Sequence, residues 1–288
     1  MTGDRITQAE YWNGEVGRRW ARGQSTLDAV FAPLTEALFA RVGLKPGDRV
    51  LDVGCGSGET ALIAARSVGS GGSVLGADLS VPLLDVARAR VAAEPGAAVL
   101  RFVEADAERY DFGQAAVSHV VSRFGMMFFP DSQAAFANLR RALAPGGRLT
   151  LLCWQALADN PWVSVPRAAV LPLVPEPAAP SPDAPGPFRF ADPAPLRALL
   201  TAAGFADVAC EGIVRDVVLG RAEDGSAREA AEAAAGVAVE LGPVSHLLRE
   251  AGPPLRRRAL EAVTEALLPH ARDGAVRLGA ACWLVSAG

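Results

Sequence analysis

The stretch VLDVGCGSGET, Val50 to Thr60, constrains the fold more than any other part of this chain. It begins as an apolar strand, turns through Gly54, Gly56 and Gly58, and runs on into the helical pattern ALIAARSV. Strand, glycine turn and helix in that order open the ligand crevice of an open α/β sheet. The residues around the glycines decide the ligand. A dinucleotide fingerprint needs a third glycine five residues after the first, for close packing of helix on strand, and that position is Glu59. Asp52 would set a carboxylate beside a bound pyrophosphate, an unfavourable pairing of like charges. No glycine–lysine–serine or –threonine run follows, which excludes a Walker loop. A positively charged, amino-acid-bearing ligand reverses the argument: Asp52 attracts it, directly or through water, and the glycines let it approach the backbone.

The rest of the chain supplies the sheet. Residues 5 to 42 read as two helices, the second TLDAVFAPLTEALFARVG, with apolar residues at helical spacing. Further strands are expected to end at Asp78 and Asp106, with a fourth in AVSHVVSRF and a fifth in RLTLLCW. A helix DSQAAFANLRRALAPGG, stopped by proline and glycine, separates those two. Strands alternating with helices imply a parallel sheet covered on both faces. From about Ala156 proline becomes dense, but Trp162, Phe188 and Phe190 embedded there predict packing rather than a free linker. The pattern returns with PAPLRALLTAAG and FADVACEGIVRDVVL. A purely helical stretch broken at Gly242–Pro243 and Pro253–Pro254 then precedes a final strand, AVRLGAACWLVSA.

Composition removes several classes. The net charge is −4, which argues against a nucleic-acid partner. Cys55, Cys153, Cys210 and Cys282 form no CxxC pair, so neither a zinc site nor a disulfide framework is expected, and no metal is assigned. The N-terminus lacks a signal-peptide core and no apolar run is long enough for a membrane span, so a cytoplasmic, reducing location is expected. Among 28 basic residues only Lys45 is lysine, a coding-bias signature that lowers the weight of any single surface arginine.

Asp78 lies 24 residues after Gly54, at the end of the next strand, where a carboxylate accepts hydrogen bonds from both hydroxyls of a ribose. S-adenosylmethionine has a ribose, an adenine, an ammonium and a sulfonium, and no phosphate; it fits better than a nicotinamide dinucleotide. VLDVGCGSGET together with GADLS, VEADAERYDF, SRFGMMFF and LRRALAPGGRLTLLCW resembles the class I S-adenosylmethionine-dependent methyltransferases. Within them the chain is similar to the bacterial ubiquinone/menaquinone-biosynthesis type acting on small molecules. The resemblance implies a doubly wound, Rossmann-like α/β fold with seven strands in the order 3-2-1-4-5-7-6 and the last antiparallel. It implies one methyltransferase domain over 1–288, comprising N-terminal lid helices (1–42), a cofactor-binding core (43–155) and a proline-rich insertion (156–192). A core helix and strand (193–220), a helical cap (221–273) and a final strand (274–288) follow.

Carried over by residue, Asp52, Gly54 and Gly56 would line the methionine end of the cofactor, which leaves as S-adenosylhomocysteine. Asp78 would take the ribose, Leu79 would pack on the adenine, and Asp106, with Ala107 beside it, would accept from the adenine amino group. Ser122 and Arg123 would sit by the sulfur and amino group, with Gln24 and Asp28 as further contacts. Tyr11, Met127, Phe128, Trp154, Trp162 and His246 are candidates for the acceptor pocket. His246 is the candidate base, and Arg123 a candidate partner for an acceptor carboxylate or phenolate, against a structural ion pair for the same residue. His119 reads as a satisfied strand residue. The expected partner is a small, hydrophobic or aromatic acceptor methylated on oxygen, carbon or nitrogen. A fold repurposed for other chemistry and a non-catalytic cofactor-binding subunit are the alternatives. Oligomeric state stays open, a homodimer included.

Overall fold

The structure is a computed structural model that describes residues 6–93, 99–177, 181 and 184–288. Five strands follow the apolar runs: β1 (Arg49–Val53), β2 (Ser73–Asp78), β3 (Leu100–Glu104), β4 (Val117–Arg123) and β5 (Leu143–Trp154). With β6 (Ala209–Arg221), β7 (Ala271–Arg272) and β8 (Ala275–Ala287) they form one sheet in the order β3-β2-β1-β4-β5-β8-β6, the short β7 pairing β8. β8 runs antiparallel to β5 and to β6. Apart from the two-residue β7, this is the expected doubly wound order, with the last strand antiparallel between the fifth and the sixth.

The N-terminal region holds three helices rather than two: α1 (Gln8–Asn13), α2 (Glu15–Arg22) and α3 (Gln24–Val42). α1 starts on a capping box in which Thr7 and Glu10 satisfy each other's backbone N–H groups. Gly14 and Gly23 punctuate what the periodicity reads as continuous helix. The core helices are α4 (Glu59–Val68), α5 (Val81–Ala92) and α6 (Ser132–Ala142). α6 stops at Ala142 instead of running into the proline–glycine turn. Pro145 disfavours helical backbone at Ala144, and Leu143, 3% exposed, is already extended and paired with Val117.

The proline-rich insertion packs where it is described. α7 (Pro161–Val170) lies on β8, and Trp162 and Phe190 are buried. Residues 178–180 and 182–183 of that expectation, and 1–5 of the N-terminal one, lie outside the described residues. α8 (Pro193–Ala202) follows, capped by Asp192. The helical cap breaks at the two expected places, giving α9 (Ala227–Leu241), a 3-10 turn at Pro243–His246 and α10 (Pro253–Leu267). α9 packs on β6 and β8, and α10 on α9 and α7; of the described residues of this segment, Leu241, Gly242 and Ser245 to Leu247 line the cavity described below. Among the described residues no helix is long and apolar enough to cross a membrane.

Candidate active site

β1 lies between β2 and β4, so the chain leaves β1 on one side and β4 on the other, and a crevice opens at their carboxyl ends. Two glycines meet there. A Cβ on Gly54 would stand 2.7 Å from the Gly125 Cα, and one on Gly125 would stand 2.8 Å from the Gly54 Cα. Gly58 is equally confined, its Cβ position 2.9 Å from the Phe102 ring and 3.0 Å from the Ala87 methyl. At Gly56 (φ +52°) the nearest atom is 4.0 Å away. Of the three loop glycines, then, Gly56 is the one open to a ligand, while Gly54 and Gly58 let the turn pack on its own chain. Gly54→Ala combines a backbone clash with a left-handed φ of +68°. It is expected to lower stability by about 2–4 kcal/mol, against about 1–2 for Gly56→Ala. Denaturant melts of both variants check this; equal losses would refute the assignment.

A cavity of about 710 Å³ occupies the crevice, inside the range of small-molecule sites. Asp78 closes one end. Its Oδ2 accepts from the Gly56 N–H and its Oδ1 from the Ser80 N–H, both at 2.8 Å. These bonds fix the carboxylate while burial pushes its pKa up. Leu79, Asp106 and Ala107 line the cavity beside it. α1 is tied to this end: Asn13 donates to the Leu79 carbonyl (2.9 Å) and accepts from the Val81 N–H (2.8 Å).

Asp52 is placed beneath the loop rather than along the cavity, 1% exposed. Thr60, which does line the cavity, donates to its Oδ2 at 2.6 Å, and Oδ1 has no partner among the described residues. Burial pushes the Asp52 carboxyl up to about 7, against the pull of Thr60 and Arg123. Ser122 is not a cavity residue. It is fully buried, and its hydroxyl donates to the Val53 carbonyl at 2.7 Å, tying β4 to β1.

Arg123 lines the cavity while held in an ion-pair network. Its guanidinium pairs with Glu59, donates to the Thr35 hydroxyl at 2.6 Å and lies 3.9 Å from Asp28. Arg90 completes the set, reaching Asp28 (2.9 Å), Gln24 Oε1 (3.0 Å) and the Ser57 carbonyl (3.0 Å). Gln24 is therefore held outside the cavity, and Asp28 lines it already ion-paired with Arg90. Of the two readings weighed for Arg123, the ion pair is the one seen. Glu59 and Arg90 went unnoticed as site residues in the sequence. Glu59 entered only as a mismatch to a dinucleotide motif, and Arg90 was hidden by the abundance of arginine.

The other half of the cavity is aromatic. Trp154 stacks on Phe124 at 3.9 Å and 9°, and Phe31 touches Phe124, Trp154 and Trp162 edge-on or tilted. Trp12, from α1, meets Phe128 at 5.3 Å and Tyr11 at 5.4 Å. Met127 is buried among them. Phe124 was not singled out by the sequence, yet it holds a φ of +67°, a strained value for an aromatic residue and a common mark of functional sites. The Trp162 indole N–H is already spent on Asn160 Oδ1 (3.1 Å), which also accepts from the Ala281 N–H (2.9 Å). Trp162 thus offers a surface and no donor.

His246 lines the cavity from the 3-10 turn, with Nδ1 2.6 Å from Arg249 Nη2. Burial and the Arg249 charge lower its pKa. Arginine only donates, so neutral His246 carries its proton on Nε2. In that form Nε2 is a hydrogen-bond donor. His119 pairs with Asp48 at 3.3 Å, at the other end of β4 from the crevice.

Residues 50–147 match the family model described as a methyltransferase domain. By this match residues 50–147 are similar to a methyltransferase domain, and the strand order is that of the class I S-adenosylmethionine-dependent methyltransferase fold. An uncharacterized protein of Mycobacterium tuberculosis is 42% identical over 137 residues, 47% of this chain and 48% of that one. The 2-phytyl-1,4-naphtoquinone methyltransferase of Synechococcus elongatus is 39% identical over 108 residues, 38% of this chain and 46% of that one. The chain spans about half the length of the curated relatives it matches. Among solved structures, phosphoethanolamine N-methyltransferase 2 of Haemonchus contortus, in complex with S-adenosyl-L-methionine, superposes with a TM-score of 0.59. It is 18% identical and covers 98% of this chain and 60% of its own, a likeness of fold.

Proposed function

We propose that the chain, as one domain, binds S-adenosylmethionine across the carboxyl ends of β1, β2 and β4. It then transfers the methyl group to oxygen, carbon or nitrogen of a small hydrophobic or aromatic acceptor. The observation that carries the reading is Asp78, its carboxylate fixed by the Gly56 and Ser80 N–H groups at the edge of a 710 Å³ cavity whose far half is aromatic. The residues present fit that cofactor. The orphaned Asp52 Oδ1 suits a cation, Gly56 leaves room for it, and no loop feature calls for a phosphate. The relative whose name gives a naphthoquinone acceptor supports an aromatic substrate.

When bound, the cofactor supplies a methyl group on a sulfonium already activated for displacement. What the chain adds is position. Asp78 would hold the ribose hydroxyls, Leu79 and Ala107 the adenine faces, and Asp106 the adenine amino group. Asp52 would attract the ammonium through Thr60. Trp154, Phe124 and Phe128 would exclude water and orient the acceptor for an in-line approach. An acceptor that arrives ionised would need no base; one that must lose its proton near the transition state would call for a base or for water to take it.

Titrating S-adenosylmethionine and S-adenosylhomocysteine into wild type and Asp78→Ala tests the proposal. Wild type is expected to bind at micromolar affinity and the variant at least about tenfold more weakly, about 1.4 kcal/mol or above. An acceptor screen should then couple S-adenosylhomocysteine release to a product heavier by one methyl group. Absence of binding in wild type would sink the reading, and turnover without methylated product would favour repurposed chemistry.

A further inference from the structure

We infer that the acceptor carries an anionic oxygen group, a carboxylate in the simplest case, and that Arg167 recognises it. The inference rests on the reading of the cavity just proposed and adds the substrate class. Among the described residues the carboxylates that line the cavity, Asp28, Asp78 and Asp106, come from α3 and from the ends of β2 and β3, the cofactor side, where Arg123 also lines it but is already paired with Glu59. On the acceptor side the described residues of α7 and of 184–189 contribute Arg167 and Arg189 and no carboxylate.

The two arginines differ. Arg189 donates to the Phe129 carbonyl and lies 5.6 Å over the Phe190 ring. Arg167 is half-buried and, among the described residues, has no hydrogen-bond or ion-pair partner. A guanidinium partly removed from water without a counter-ion is unfavourable, and a ligand carboxylate relieves that cost. The planar fork of arginine matches a carboxylate in two parallel hydrogen bonds. His246 adds a second donor on the same side, because its Nδ1 accepts from Arg249 and leaves the proton on Nε2. Aromatic faces flanked by unanswered donors describe a pocket for an aromatic acid. An arginine that merely lays its stem on Trp162 and keeps its head in solvent would show no preference for an acid over its neutral analogue.

The test titrates naphthalene-2-carboxylate and its neutral carboxamide into the full chain, with and without saturating S-adenosylhomocysteine, following tryptophan quenching. The carboxylate is expected to bind at least tenfold more tightly than the carboxamide. Arg167→Gln should erase that preference, and Arg167→Lys should retain part of it, with S-adenosylhomocysteine affinity unchanged in both. Parity of the two probes in wild type, including no binding of the carboxylate, overturns the inference, as does a preference that survives Arg167→Gln. Failure of the proposed function reads differently: wild type would not bind S-adenosylhomocysteine while the Arg167-dependent preference persisted.

Discussion

Arg123→Met is expected to lower the stability of the native protein by about 3–5 kcal/mol near pH 8. The arginine is 14% exposed at its side chain and sits between Glu59 and Asp28, each 15% exposed. Methionine fills much of the volume and keeps contact with Phe31, over which the guanidinium now lies at 5.7 Å. What it removes is the charge. Arg90 still answers Asp28 at 2.9 Å, so the uncompensated group is Glu59. Burial already pushes the Glu59 carboxyl up, and Arg123 is the largest influence pulling it down. Without Arg123 its folded-state pKa rises further above the unfolded value. The loss should therefore be small at pH 4 and grow as pH rises, since the unfolded chain releases a proton that the native state retains. Melts of wild type and variant between pH 4 and pH 8 measure it, and adding Glu59→Gln should recover part of the loss. A variant as stable as wild type at pH 8 would show the network to be idle.

Asp52→Asn should flatten the pH dependence that Asp52 gives the free protein. Its pKa rises from 3.8 unfolded to about 7 folded, driven by burial. Below pH 3.8 both states hold the proton and Asp52 is neutral to stability. Between the two values the unfolded chain ionises first, so native stability falls as pH rises, by up to about 4 kcal/mol at 1.36 kcal/mol per pH unit. Asparagine cannot ionise and keeps the Thr60 contact, so the variant should gain on wild type toward pH 8. Ligand binding should run the other way. A cationic cofactor favours ionised Asp52, so wild-type affinity for S-adenosylmethionine should rise about tenfold from pH 6 to pH 8, and the variant should show little change. Parallel stability profiles, or parallel binding profiles, would remove Asp52 from this role.

Much of the fold was legible because its signals are local. Left-handed glycines, capping residues, proline breaks and apolar runs of strand length act over a few residues each. They placed β1, β2, β4 and the breaks at Gly242–Pro243 and Pro253–Pro254 close to where they lie. The errors were of two kinds. α6 yields at Leu143 to a buried strand position, whereas the N-terminal helices divide at Gly14 and Gly23, local breaks that the apolar periodicity ran through.

The site divides along the same line. A carboxylate at the end of β2, a glycine loop after β1 and an acidic residue beyond β3 follow from strand position, and by itself the sequence determined them, together with the absence of any phosphate-binding signature. Only the tertiary structure decided what each side chain does. It spends Arg123 on Glu59, turns Ser122 toward Val53, withdraws Asp52 beneath Thr60, and leaves Arg167 unanswered among the described residues. The physical reason is range. Backbone conformation is written in neighbouring residues, whereas the partner of a polar group is chosen among side chains that meet only after folding. The Arg123–Glu59 pair spans 64 residues and the Ser122–Val53 bond 69. With lysine present once among 28 basic residues, composition could not say which arginine would find its counter-ion inside the protein and which would be left to a ligand.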